Sequence, residues 1–175
     1  MKTMLRPLIP VVAVLAVPII PFLFMGNLIE QWVSGLENSR YLPWIVIALL
    51  SGDLILPIPS SVVTTYIGGQ MDWITGTLVS WVGMSLAAVI GFTLARKYGP
   101  QFALRFSSAA QLDNAGNLAG RFGPIFLVLA RGVPVVAEAS ILLMGIHRLS
   151  WRRFLIPVLL SNLGISLGYT LFGAV

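Results

Sequence analysis

Two charged side chains, Asp53 within Tyr41–Met71 and Arg131 within Phe122–His147, stand inside largely apolar stretches of this sequence, the second of which also carries Glu138. A charge at bilayer depth costs roughly 2.5–3.5 kcal/mol on insertion scales, so each calls for a partner or a task. Both sit beside prolines. Asp53 precedes Pro57-Ile58-Pro59-Ser60-Ser61, and Arg131 precedes Pro134, with Glu138 on the turn after it. Proline removes a helical hydrogen bond and biases the preceding residue away from helix, so Pro57, Pro59 and Pro134 predict helix–break–helix in both stretches. Asp53 then falls near the negative end of a half-helix where water is scarce, a setting for a carboxyl that exchanges protons. Arg131 falls where the next half-helix begins with free N–H groups, a setting for a phosphate or carboxylate. Glu138 would cap that half-helix, pair with Arg131 or relay protons. Ser60 and Ser61 would cap the first renewed helix or donate hydrogen bonds to a ligand. The competing reading is an Asp53–Arg131 ion pair that only fastens two hairpins together.

Other chemistries find little support. The chain has no cysteine and one histidine, His147, with no partner at ligand spacing, so no metal or cofactor is expected. No nucleophile-elbow, zinc-protease or phosphate-loop motif occurs, and an enzyme is not expected.

The elements that hold these residues are membrane elements. Of 175 residues, 57% are hydrophobic and 10% charged, with a mean hydropathy of +0.91. Soluble domains carry about a quarter charged residues, so this chain could not cover its own surface in water. Pro7–Ile29, Trp73–Ala95 and Phe154–Val175 carry no formal charge, and each reaches the ~20 residues of a spanning helix. The first is too long for a signal core and reads as an uncleaved span. The expected organisation is a transmembrane helix and outer loop over 1–40, then a transporter-like domain over 41–175. That domain divides into a re-entrant hairpin over 41–71, a span over 73–95, an interfacial segment over 98–121, a second re-entrant hairpin over 122–147 and a span over 154–175.

Charge placement favours re-entry over full crossing. With both hairpins returning to their own side and a cytoplasmic N-terminus, Lys2, Arg6, Arg96, Lys97, Arg105, Arg121, Arg148, Arg152 and Arg153 all lie inside. That is the positive-inside pattern, and it explains the net charge of +5 without nucleic acid. The sequence also matches itself at a shift of 77: Pro57 on Pro134, Gly68 on Gly145, and Gly91-Phe92-Thr93-Leu94 on Gly168-Tyr169-Thr170-Leu171. Gly68 and Gly145 are read with the prolines as markers of the hairpin breaks. The fold class expected is an all-α integral membrane protein, an inverted repeat with two re-entrant helical hairpins and about three full spans. Ala87/Gly91 and Gly164/Gly168 are small-xxx-small pairs that would let helices approach closely.

Asp53-x-x-x-Pro57-Ile58-Pro59-Ser60-Ser61 with Gly68-Gly69 resembles the first re-entrant loop of the DedA proteins, also called the SNARE-associated or VTT-domain family. Gly83 and the run Gly91 to Gly99 are similar to the span that follows it. Arg131-Gly132-Val133-Pro134, Gly145 and Phe154 are similar to the second loop and its sequel. The resemblance covers roughly residues 40–172. It implies a lipid transporter, a flippase or scramblase moving polyprenyl-phosphate carriers such as undecaprenyl phosphate, or phospholipids, between leaflets, with or without coupling to protons. By position it assigns Asp53 to the family's first acid and Arg131 to its first hairpin arginine. Two positions depart from the pattern: Ser61 stands where many members have a second acid, and Ala137-Glu138 where many have a second arginine. The implied location is the bacterial inner membrane, multi-pass. The implied partners are membrane lipids, with self-association left open. Two other readings remain: a proton-coupled secondary transporter of a small ion or anion, and a non-transporting scaffold for membrane assembly.

Overall fold

The computed structural model describes residues 40–53, 60–103, 109–132 and 134–175. The first expected span, Pro57 and Pro59 lie outside them. The described residues form helices α1 (Leu42–Ser51), α2 (Ser60–Gln70), α3 (Trp73–Ala103), α4 (Ala109–Leu129), α5 (Pro134–Ile146) and α6 (Trp151–Gly173), with a 3-10 turn over Ala130–Gly132 before α5. No strand occurs among them.

Local chemistry sets the ends. Asp72 precedes α3, and its Oδ1 accepts the backbone N–H groups of Ile74 and Thr75 at 3.1 and 3.0 Å, which satisfies two donors that the first turn leaves free. α5 opens on Pro134, where the missing N–H removes no helical bond. α5 closes with the N–H of Leu149 donating to Met144 O at 3.0 Å and that of Arg148 to Gly145 O at 2.9 Å. That closure puts Arg148 at φ 53°, the left-handed conformation usual after a helix end but seldom held by an arginine.

α3 and α6 are long and apolar enough to cross a bilayer, over Trp73–Gln101 and Trp151–Gly173. They lie antiparallel: Thr77 meets Thr170 through their hydroxyls at 2.6 Å, and Ser85 meets Asn162 at 3.2 Å. Trp81 adds a bond from its indole N–H to Leu159 O at 2.9 Å. Their lipid-side faces carry exposed Leu78, Leu86, Leu160 and Phe172. Because hydrocarbon is as apolar as leucine, close packing and internal hydrogen bonds are what hold such helices together.

α2 docks on α6 and α5 docks on α3. Both contacts are made by a glycine. A Cβ on Gly68 would run into the Thr170 backbone, 2.7 Å from its Cα, and one on Gly145 would lie 2.7 Å from both Phe92 O and the Ala95 Cβ. Gly68 and Gly145 are counterparts under the 77-residue shift, and so are Ser85 and Asn162.

Two apolar clusters result. Leu42, Val46, Leu50, Val63, Ile67 and Val79 join α1, α2 and the first half of α3. Ala88, Phe92, Leu127, Ile141, Met144, Phe154 and Val158 are central to the second, between α4, α5 and the other halves of α3 and α6. There Phe92 and Phe154 stack at 3.9 Å with an interplanar angle of 11°, and Trp151 meets Phe92 edge-on at 4.9 Å.

Four expectations are corrected. Gly68 and Gly145 do not break helices; they lie inside α2 and α5 as close-contact positions. α3 does not end near Ala95 but runs through Pro100, with Gly99 packed on Ile146. The 98–121 segment is not separate from the second hairpin: α4 passes through Arg121 and Phe122 and contains Pro124. A membrane helix absorbs one proline when neighbouring helices and local backbone adjustment satisfy the freed carbonyl. Finally, Ala87 and Gly91 are buried, whereas Gly164 and Gly168 are exposed with nothing within 4 Å of an added Cβ.

Candidate functional site

Arg131 lies in the 3-10 turn between α4 and α5, a position no regular helix could give it. The turn separates α4 from α5 and leaves part of the guanidinium buried. Its Nη2 is buried and has no hydrogen-bond partner. The charges that act on it are the carboxylate of Glu138, first, and that of Asp53. Glu138 is half-buried on the second turn of α5, and Asp53 is half-buried just past the C-terminal end of α1. One cation and two acids, drawn from both halves of the chain, thus share one electrostatic neighbourhood. Leaving a charged donor unmatched costs at least 1–3 kcal/mol, so an open guanidinium nitrogen is a binding capacity as well as a burden.

Ser60 and Ser61 begin α2, half-buried. The Ser61 carbonyl accepts the Thr65 hydroxyl at 2.8 Å. Among the described residues no hydrogen bond joins either serine to Arg131. Pro134 opens α5 two residues after Gly132, the last residue of the turn that carries Arg131. Groups of three or more metal-ligating side chains are absent among the described residues.

Arg96 and Arg153 lie at one end of the helix pair. Arg96 Nη1 donates to Leu149 O at 2.7 Å, and Arg153 Nη1 donates to Gly120 O at 2.8 Å. Asp72 and exposed Trp73 mark the other end of α3. The 23 residues from Trp73 to Arg96 rise about 35 Å, slightly more than the ~30 Å hydrocarbon layer.

The profile of the VTT domain matches residues 58–175. The chain belongs to the VTT-domain, or DedA, family. Comparison with curated proteins and with solved structures returns no match. Membership makes this VTT-domain chain a membrane protein and agrees with its two span-length helices.

One group of residues escaped the sequence reading. Thr77, Ser80 and Ser85 on α3, Asn162, Ser166 and Thr170 on α6, and Thr64 on α2 are all buried. Each looks unremarkable alone in an apolar span. The signal that could have found them is the i, i+4, i+8 spacing of Asn162, Ser166 and Thr170, which puts three polar groups on one helix face.

Proposed function

We propose that this protein is a lipid transporter, a flippase or scramblase that passes a phosphate-bearing lipid, polyprenyl-phosphate or phospholipid, between the leaflets of a bacterial inner membrane. The observation that carries the reading is the buried, unpartnered Nη2 of Arg131. A guanidinium donates to phosphate through charge-assisted bonds, and the low dielectric around it strengthens them. Glu138 and Asp53 are the proton-responsive partners. With both ionised, the neighbourhood carries one positive and two negative charges, which repels a second anion; protonating either acid admits the phosphate. Ser60 and Ser61 line the approach as hydrogen-bond donors.

The architecture we assign to this task is an inverted repeat of two re-entrant hairpins. Three contacts support it. Gly68 rests on α6 as Gly145 rests on α3, and Ser85 touches its own counterpart Asn162, the pairing expected where a two-fold axis passes between antiparallel helices. The axis would place the second basic break opposite the first acidic one near mid-membrane.

Mass spectrometry of lipids that co-purify with the protein tests the assignment. Phosphate-bearing lipids should be enriched on the wild-type protein and depleted on Arg131→Ala. Equal lipid recovery from both would remove Arg131 as the phosphate ligand. A small soluble anion could use the same donor; uptake of anion into liposomes without lipid transfer identifies that case.

A further inference from the structure

Three more polar atoms are buried without a hydrogen-bond partner: Thr64 Oγ1, Ser80 Oγ and Asn162 Oδ1. Each belongs to a residue with 0% exposure, and they come from α2, α3 and α6. α2 and α3 are joined only by Met71 and Asp72, so they form an antiparallel pair. A Cβ on Gly76 would meet Ile67 Cγ2 at 3.5 Å, and one turn deeper on each helix sets Thr64 level with Ser80. Ser166 reaches the same seam, its hydroxyl 3.6 Å from Met84 Sδ. Below it, Asn162 Nδ2 donates to Ser85 Oγ, which leaves Oδ1 open. Above it, the Thr77–Thr170 pair closes the series.

The polar positions thus extend from Thr77 to Ser85, a rise of about 12 Å along α3. Each unmatched hydroxyl or amide oxygen costs roughly 1–3 kcal/mol when buried dry. Two hydroxyls that donate or accept, with one carbonyl oxygen that accepts, are complementary to water, which makes about three bonds at buried sites. The seam's own side chains are all neutral, so no carboxylate there balances a metal cation. The inner end of the seam also lies at about the level of Asp53 along α3. A Cβ on Gly83 would sit 2.7 Å from the Leu50 Cβ, and Asp53 is three residues past Leu50, within about 5 Å along the axis.

We propose that the α2–α3–α6 seam is a hydration site, in which water bound to Thr64, Ser80 and Asn162 carries a polar path from the Thr77–Thr170 pair to the level of Asp53. The site does not depend on which cargo the protein carries. It gives a proton a solvated route through half of the molecule, while the Phe92–Phe154 cluster keeps the other half dry.

The wild-type chain contains the comparison that tests this. Met84 borders the seam, and Met144 lies in the aromatic cluster. With the protein in lipid nanodiscs, pulsed X-ray radiolysis generates hydroxyl radicals from nearby water. Met84 should form sulfoxide about tenfold faster than Met144, because radicals act where water is held. The chain has no cysteine, so Ser80→Cys and Ala88→Cys supply a second readout. A thiol needs water to ionise, and Ser80→Cys should react with a small charged thiol reagent roughly tenfold faster than Ala88→Cys. Equal, slow labelling of Met84 and Met144 would overturn the proposal, whether or not the cysteine variants fold.

Discussion

Two regions of the molecule each seat a shorter helix on a long one through a glycine, and the side chains around the two contacts differ in chemistry. In the first, α2 meets α6 through Gly68, and the buried side chains of α2, α3 and α6 include Thr64, Thr77, Ser80, Asn162 and Thr170. In the second, α5 meets α3 through Gly145, and the adjoining space is filled by Phe92, Phe154, Trp151 and Met144. Glycine contact fixes how closely the helices approach in either case. On the proposal above, the side chains beside that contact decide whether the region holds water. Closeness of approach and the chemistry around it are therefore separable, and the charged groups Asp53, Arg131 and Glu138 are drawn from both regions.

Substitutions that attack one half at a time can break this comparison. The largest effect should come from Phe154→Ala, which empties the stacked core and costs about 3–5 kcal/mol; Ser80→Ala in the seam should be near neutral. Thermal unfolding followed in detergent separates them, and equal loss in both would dissolve the dry–wet distinction. Next are the glycines. Gly68→Leu and Gly145→Leu force a side chain against a helix backbone, at a cost of up to about 3 kcal/mol each. Gly164→Leu, projecting into open space, should leave the melting temperature unchanged. A tolerated Gly68→Leu would refute the close approach on which the paired plan rests.

Much of this plan was legible in the chain. The absence of charge over residues 73–95 and 154–175 predicted two spans, and Arg131 before Pro134 predicted a break that the 3-10 turn supplies. The glycine correspondence was also visible, although its meaning was misread: Gly68 and Gly145 serve packing within helices, where a missing Cβ matters more than backbone freedom. Pro100 and Pro124 misled in the other direction. Local propensity reads a proline as a stop, but a long helix held by neighbours on several sides can lose one bond and continue. The seam was invisible because it is a property of three helices together. Only the packing of the three helices shows that Thr64, Ser80 and Asn162 are buried with unmatched polar atoms.

Two smaller effects sharpen the contrast at the ends of the halves. Arg148 holds a left-handed conformation after α5, and Arg148→Gly should stabilise the fold by about 1 kcal/mol by removing the Cβ conflict; calorimetry in detergent would detect it. The smallest effect concerns pH. Burial holds His147 below its ordinary value of 6.5, so the neutral ring is favoured in the folded state. Its contribution is present above the unfolded value and is lost as pH falls through 6.5 toward the folded one. Between pH 7.5 and 5.5 the wild-type melting temperature should therefore drop slightly more than that of His147→Gln. An identical drop would show that His147 plays no part.

The buried Arg131 Nη2 without a hydrogen-bond partner is the centre of the account, and leaflet transfer of a labelled phosphate lipid in proteoliposomes tests it most directly. Losing a charge-assisted bond worth about 1.5–3 kcal/mol should slow transfer by Arg131→Ala on the order of 10–100-fold. Arg153→Ala, which removes only a surface bond to Gly120 O, should transfer at the wild-type rate. Equal rates for wild type and Arg131→Ala would contradict the account.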